Sequence, residues 1–256
     1  IKVYIDFLSI FKSEARIKKI ILALNQIDIN KLKKISVSFK PSNFTSFLNN
    51  SVKDGKLNTK IEIYLDKENQ IDDFIARGSV EGIKAKIFKS LDIEKTKFSF
   101  FADKTDILIK NFSGQAQEIK IKEGDWKIIL SPELYLESNF KIILNLNNKI
   151  LNYATFLPNL SNFENLKSLN GEFNNNFAIS FDKTYKIKTY NYISNGKISD
   201  ASLSLKKPIK NLFGIEKIDN VKLIDTKIKS ILNQKNKSLS FSGKYSLNKG
   251  NFQKFE

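Results

Sequence analysis

The sequence contains no cysteine, no histidine and no methionine. Those absences remove disulfides, thiolate nucleophiles, zinc sites built on Cys or His, and histidine general bases. A serine triad would need the missing imidazole, and no Gly-x-Ser-x-Gly elbow occurs. The lack of cysteine leaves the redox compartment open; it is compatible with an oxidising one, where a stray thiol is a liability. Gly (10) and Pro (4) are scarce, which excludes collagen-like and flexible-linker chains. Arginine is confined to Arg16 and Arg77. No run approaches the ~20 apolar residues of a membrane helix; the longest is Ile20-Ile21-Leu22-Ala23-Leu24. The chain begins at Ile1 and stops at Glu256 within a strand-like pattern. We therefore expect a piece of a longer protein, in which the lack of a visible signal peptide says nothing about secretion.

What is present is a chain of 256 residues, 41% apolar and 12% aromatic. That is too hydrophobic for disorder and enough for a substantial core. The net charge is +16, from 43 Lys and Arg against 27 Asp and Glu. Such an excess attracts anions, either nucleic acid or phospholipid headgroups. Lysine is nevertheless spread evenly, asparagine is abundant and no block of five basic residues occurs. An AT-rich coding sequence leaves the same pattern.

Period-two alternation dominates, the mark of strands with one apolar face. Leu57, Ile61, Ile63 and Leu65 alternate with polar neighbours. Leu134, Leu136, Phe140, Ile142, Leu144 and Leu146 form a longer set, and Phe173, Phe177, Ile179 and Phe181 another. Leu239, Phe241, Tyr245 and Leu247 alternate with serines and Lys244. Weaker sets are Phe98 with Phe100, Ile107 with Ile109, and Trp126, Ile128 and Leu130. The phase changes near Ile71–Val80, which predicts a bulge or turn there. Asp54-Gly55, Asn170-Gly171, Asn195-Gly196 and Glu123-Gly124-Asp125 read as hairpin turns. Asp66-Lys67-Glu68-Asn69 and Asn147-Asn148-Lys149 read as polar loops, with Pro41, Pro132, Pro158 and Pro208 at run boundaries.

Short helices are expected over Asn43–Asn50, capped by Ser42 with Phe44, Phe47 and Leu48 on one face, and over Ile150–Leu157. Phe163, Leu166 and Leu169 also recur at helical spacing. A weak internal repeat runs through the chain. Pro158 follows Pro41 by 117 residues (158 − 41), Gly171 follows Gly55 by 116 (171 − 55), and Gly196 follows Gly78 by 118 (196 − 78). Ile107–Gly114 resembles Leu239–Gly243, each a strand running into glycine. The period is too long for a short solenoid repeat. It suggests a duplicated block extending one sheet: strands of a preceding block over 1–40, a helix-plus-strands block over 41–157, and an incomplete second block over 158–256.

The proline-led helix, small-residue turn and long amphipathic strands resemble the AsmA-like superfamily, which includes AsmA, TamB and YhdP-type proteins. The likeness rests on Pro41-Ser42-Asn43-Phe44 to Gly55-Lys56-Leu57, on Phe156-Leu157-Pro158 to Leu169-Asn170-Gly171, and on Asp106–Gly114 as a closing element. It is nearest in style to the YhdP-type central region and covers most of the chain without an invariant catalytic string. The resemblance implies a mainly β fold: an elongated, twisted antiparallel sheet curled into an open hydrophobic groove, with a few short amphipathic helices. It further implies a non-enzymatic, periplasmic segment of a protein anchored in the inner membrane of Gram-negative bacteria. Such a segment carries phospholipid towards the outer membrane, touching membranes through parts outside this sequence. Envelope protein partners stay unspecified.

An amphipathic sheet must cover its apolar face with a second layer, with helices or with ligand. A six-residue strand spans roughly 20 Å, enough for an acyl chain from one half of a ~30 Å bilayer core. The expected groove lining is Leu57, Ile61, Ile63, Phe98, Phe100, Ile107, Ile109, Leu136, Phe140, Ile142, Leu144, Phe177, Ile179, Leu239 and Phe241. The alternative is a closed, dry sandwich core built from the same residues.

No catalytic constellation competes. Asp72-Asp73 and Glu62 with Asp66 read as solvated charge, and Gly78-Ser79-Val80-Glu81-Gly82 lacks the Gly-Lys-Ser/Thr ending of a phosphate loop. No catalytic residue, cofactor or metal is expected. Nucleic-acid binding is disfavoured because the aromatics alternate onto the apolar face and arginine, the usual base-reading cation, is nearly missing. A structural β-scaffold or envelope-assembly protein with a closed core is the remaining alternative.

Overall fold

The fold is a single antiparallel sheet of thirteen strands whose order in space is their order in sequence. It is seen in a computed structural model that describes residues 1–6, 9, 16–36, 43–88, 91–116, 118–147, 166–182, 184, 186–210, 217–248 and 250–256. The strands are β1 (Lys2–Ile5), β2 (Ile17–Asp28), β3 (Val52–Leu65), β4 (Ile71–Phe88), β5 (Leu91–Asp103), β6 (Asp106–Ala116), β7 (Ile119–Ile129), β8 (Tyr135–Asn147), β9 (Leu166–Phe181), β10 (Ile187–Lys210), β11 (Lys217–Asn233), β12 (Lys237–Leu247) and β13 (Gln253–Phe255). Two helices, α1 (Ile29–Ser36) and α2 (Asn43–Ser51), lie in sequence between β2 and β3. The first and last strands do not pair, so the sheet is open and not a barrel. At roughly 4.8 Å per strand, thirteen strands extend about 60 Å across the sheet.

The register carries one face through the molecule. Leu24, Thr59, Gly78, Phe100, Ile109, Trp126, Ser138, Phe177, Tyr192 and Leu232 form an unbroken line of directly paired residues from β2 to β11. Paired residues share a face, so this line and its alternate neighbours define one side of the sheet. Among the described residues, every buried strand residue except Ser246 lies on that side. The sheet is therefore curled, with the apolar face concave.

The curl has a local cause. Five strands carry one non-glycine residue at positive φ inside a pairing irregularity: Gln26, Lys95, Asn111, Glu123 and Asp225, with φ of 49°, 53°, 56°, 53° and 50°. Gly82, at φ 66°, does the same in β4. Each is an extra residue, which bends and twists its strand. All six are exposed, as expected where surplus backbone bulges outward from the convex side. The orphaned amides find side-chain acceptors: Gln26 N–H donates to Asn58 Oδ1 at 2.7 Å and Asn111 N–H to Asp125 Oδ1 at 3.0 Å.

Connections divide by edge. On one edge, four hairpins close with aspartate or asparagine carbonyl or carboxylate oxygens accepting local amides, at Asp66, Asp103, Asp182 and Asn233. A fifth, between β7 and β8, contains the cis Ser131-Pro132 bond. The opposite edge carries α1 and α2. They pack onto the concave face at that end, where Ile29 and Leu48 bury against Val52, Ala85 and Ile93, flanked by Leu32, Ile83, Phe112 and Ile121.

Several expectations change. The four glycine dipeptides are not turns; Gly55, Gly124, Gly171 and Gly196 all lie inside strands. A Cβ at Gly196 would sit 2.2 Å from Phe173 Cδ1 and 2.6 Å from Glu172 O, so the close cross-strand approach, not a turn, requires glycine there. The phase change in β4 is a bulge at Gly82, just beyond the expected stretch. Leu166 and Leu169 are in β9, and their three-residue spacing reflects a pairing shift opposite Ser202 and Leu203. Residues 1–40 hold α1 as well as strands. Pro208 lies within β10, in a gap in the pairing with β11 between Ser204 and Ile209, where its missing N–H costs no ladder bond. Helix α2 matches its expected span; Ser42, Pro41, Pro158, Phe163, Asn148, Lys149 and the 150–157 helix lie outside the described residues.

The internal repeat has a structural counterpart. Gly55 and Gly171 fall in β3 and β9, and Gly78 and Gly196 in β4 and β10. In β6 a Cβ on Gly114 would lie 3.0 Å from Thr96 Oγ1 of β5, and in β12 a Cβ on Gly243 would lie 2.5 Å from Thr226 Oγ1 of β11. The same threonine-over-glycine contact thus recurs six strands later.

Candidate functional site

The concave face is the only extended apolar surface among the described residues. All fifteen residues expected to line a groove share it. Twelve are half-buried, Ile179 is buried, and Leu239 and Phe241 are exposed at 64% and 52%. Side chains in a dry sandwich would be buried. Partial cover is what a curled sheet gives when no second sheet lies over it.

Side-chain size varies along each strand in a way that shapes the trough. At the bends the concave face carries small or polar residues: Thr59, Thr96, Gly114, Gly124, Ser138, Asn175, Ser194 and Thr226, all buried. Large side chains stand on either side of that line. A sharply bent sheet brings its inner side chains together at the bend, so only small ones fit there. Asn175 is the one large polar group, 2% exposed. Its amide nitrogen donates to Phe173 O at 3.0 Å, and its Oδ1 accepts from the Tyr192 hydroxyl at 2.8 Å. It is therefore satisfied, as a buried amide must be.

An aromatic ladder crosses β5, β6 and β7. Phe98 and Phe112 stack at 5.9 Å between centroids, and Phe112 meets Trp126 at 5.2 Å. Beyond it the face opens into a furrow of ≈ 570 Å³, lined by Trp126, Leu136, Ser138, Phe140, Phe177, Ile179, Ile187, Tyr190, Tyr192 and Leu232. That volume falls within the roughly 300–1,000 Å³ of small-molecule sites. Sequence reasoning missed Tyr190, Tyr192 and Leu232 as lining, and placed Trp126 in a strand without assigning it to the groove. Tyr190 and Tyr192 stand among polar neighbours with no run of aliphatic residues in phase with them, so the alternation did not single them out, although a tyrosine ring is apolar. Pairing with Phe177 is the signal that puts Tyr192 inside.

Among the described residues, three buried side-chain atoms have no hydrogen-bond partner: Thr96 Oγ1, Trp126 Nε1 and Ser138 Oγ. All belong to concave-face residues. Leaving such a group unpaired costs about 1–3 kcal/mol.

The convex face carries charge of both signs. Lys19 donates to Glu62, which also accepts from Lys60 at 2.7 Å. These bonds, Lys19 first, hold the Glu62 carboxyl down at about 2, and the Lys19 ammonium is raised in turn. Lys110 pairs with Asp125 at 2.8 Å, Lys141 with Glu172 at 2.6 Å and Lys197 with Asp225 at 2.8 Å. The lysine bonds lower the Asp125 and Asp225 carboxyls and Glu172 raises Lys141. A smaller depression of ≈ 420 Å³ on this side is bordered by Lys110, Asp125, Lys127, Glu137 and Asn139. Its mixed charge makes it a solvated surface, not an anion cradle. Among the described residues no group of three or more metal-ligating side chains comes together, and no helix is long and apolar enough to cross a membrane.

Comparison with known protein families, with curated proteins and with solved structures finds no match to this chain.

Proposed function

We propose that this chain is a non-enzymatic lipid-transfer segment that shelters the acyl chains of phospholipid along its concave face. The observation that carries the proposal is the single apolar face running from β2 to β12, covered at one end by α1 and α2 and by no second sheet among the described residues. Burying one Leu or Phe side chain contributes roughly 1.5–3 kcal/mol. A wall of such residues left to water would consume much of a typical stability of ~5–15 kcal/mol. Lipid tails remove that cost, and headgroups remain at the open seam within reach of rim lysines. In keeping with the AsmA-like resemblance, the segment belongs to a periplasmic protein anchored in the inner membrane, passing phospholipid towards the outer membrane.

A scaffold reading draws on the packed cluster of Ile29, Leu48, Val52, Ala85 and Ile93, which needs no ligand. Extraction and mass spectrometry of the purified protein separate the two. The transfer reading expects co-purifying phospholipid in near-stoichiometric amount. Protein free of lipid, prepared under conditions in which a known lipid-transfer protein keeps its own, supports the scaffold. Salt-dependent oligonucleotide binding would instead favour a nucleic-acid partner.

A further inference from the structure

Trp126 and Ser138 are direct register partners on β7 and β8. Both line the ≈ 570 Å³ furrow. Ser138 is only 8% exposed. The Trp126 indole nitrogen and the Ser138 hydroxyl oxygen are shut off from solvent and lack any hydrogen-bond partner. The neighbouring buried amide of Asn175 shows the contrast, since both its ends are engaged.

The chemistry of the pair is specific. An indole N–H can only donate, and a hydroxyl beside it can donate too. The furrow lining contains no lysine or arginine, so the pair is not built for a phosphate. Leu136, Phe140, Phe177 and Ile179 around it suit a hydrocarbon chain. Two donors on directly paired residues of an apolar trough match an uncharged or singly charged oxygen at the head of a long apolar body. We propose that Trp126 and Ser138, whose donor atoms become reachable when the apolar side chains over them part around an entering chain, bind the acyl carbonyl oxygen of a lipid, either the ester carbonyl of a glycerolipid or the carboxylate of a fatty acid. The pair thereby fixes where the chain enters the furrow. This assignment rests on the lipid reading above.

Trp126 is the only tryptophan in the sequence, so its fluorescence reports from the site itself. The test titrates the protein with ester-linked diacyl phosphatidylglycerol, its ether-linked dialkyl counterpart and a fatty acid of equal chain length. The ester or the fatty acid should shift the Trp126 emission and bind about five- to tenfold more tightly than the ether. Ser138→Ala should bring the ester down to the ether affinity and leave the ether unchanged. Its melting temperature should hold or rise, because it removes an unpaired buried hydroxyl. Trp126→Phe, followed with radiolabelled lipid, should lose the same preference. A fatty acid that outcompetes the ester identifies the carboxylate as the ligand group; the reverse order identifies the ester. Equal affinity for ester and ether in the unmodified protein overturns the carbonyl site while the lipid reading stands. Failure of all three to bind overturns both.

Discussion

Glu62 stands on the solvent side of β3, with ammonium groups from Lys19 and Lys60 bonded to its carboxylate and Arg77 3.6 Å away. Its pKa is about 2 in the folded protein against an ordinary value of 4.5. A lowered carboxyl pKa stabilises the fold above the unfolded value, and that contribution is lost as pH falls through the folded value. The affected window is therefore pH 4.5 down to about 2. Melting temperatures measured across it should fall with acidification, and Glu62→Gln should flatten the fall. Asp103, Asp125, Asp182 and Asp225 are also lowered and keep the slope above zero. Parallel curves for the two proteins would show that the Glu62 cluster contributes nothing. At this scale the sequence was informative about which residues are apolar and face inward, as Leu57, Phe98, Leu136 and Phe177 show. It was silent about cross-strand partners, because Lys19 and Glu62 are 43 residues apart.

Within a strand, the extra residue decides the shape. Lys95 holds φ 53° and is exposed. Left-handed backbone costs an L-residue about 1–2 kcal/mol, most for β-branched side chains, and glycine nothing. Lys95→Val should lower stability by about 1–2 kcal/mol in denaturant unfolding, whereas Lys95→Gly should be neutral or stabilising. Equal effects of the two would mean that the bulge is not held in that conformation. These bulges were legible in retrospect. Ile107 and Ile109 are followed by Phe112, Gly114 and Ala116, and Ile119 and Ile121 by Gly124, Trp126 and Ile128. A single step of three within a period of two keeps the inward face only if one residue is looped out. Reading Glu123-Gly124-Asp125 as a turn assigned that step to a chain reversal. Helix α1 was missed because Ile29 and Leu32 continue the apolar series of β2 at a spacing that fits strand bulge and helix alike.

Among the described residues, the concave wall holds most of the large apolar side chains and the convex wall the charged ones, with Phe101, Leu108, Ile193 and Ile231 as apolar exceptions on the convex side, and the two walls answer differently to charge. Phe177 lines the furrow, while Asn176 is exposed on the other side. An unpaired carboxylate among apolar groups is strongly disfavoured. Phe177→Asp should therefore reduce bound phospholipid by about tenfold or more, measured as lipid phosphorus per protein, and Asn176→Asp should leave it unchanged. Equal loss in both, or in neither, would disconnect the furrow from lipid. The glycine offsets relate strands six apart, and the amphipathic strands were legible as alternation; that the sheet is open was implied by the AsmA-like resemblance, because alternation fits a closed sandwich equally well. The edge that carries α1 and α2 was only half anticipated, because helix packing depends on contacts with β4 and β5 that no local pattern announces. Since every strand pairs solely with the ones before and after it in sequence, a hairpin inserted between two strands replaces only the pairing at that point and leaves every other pair intact. Each insertion lengthens the sheet by about 10 Å and a six-strand unit by about 29 Å. The architecture is in this sense a ruler, whose reach evolution can set by counting hairpins.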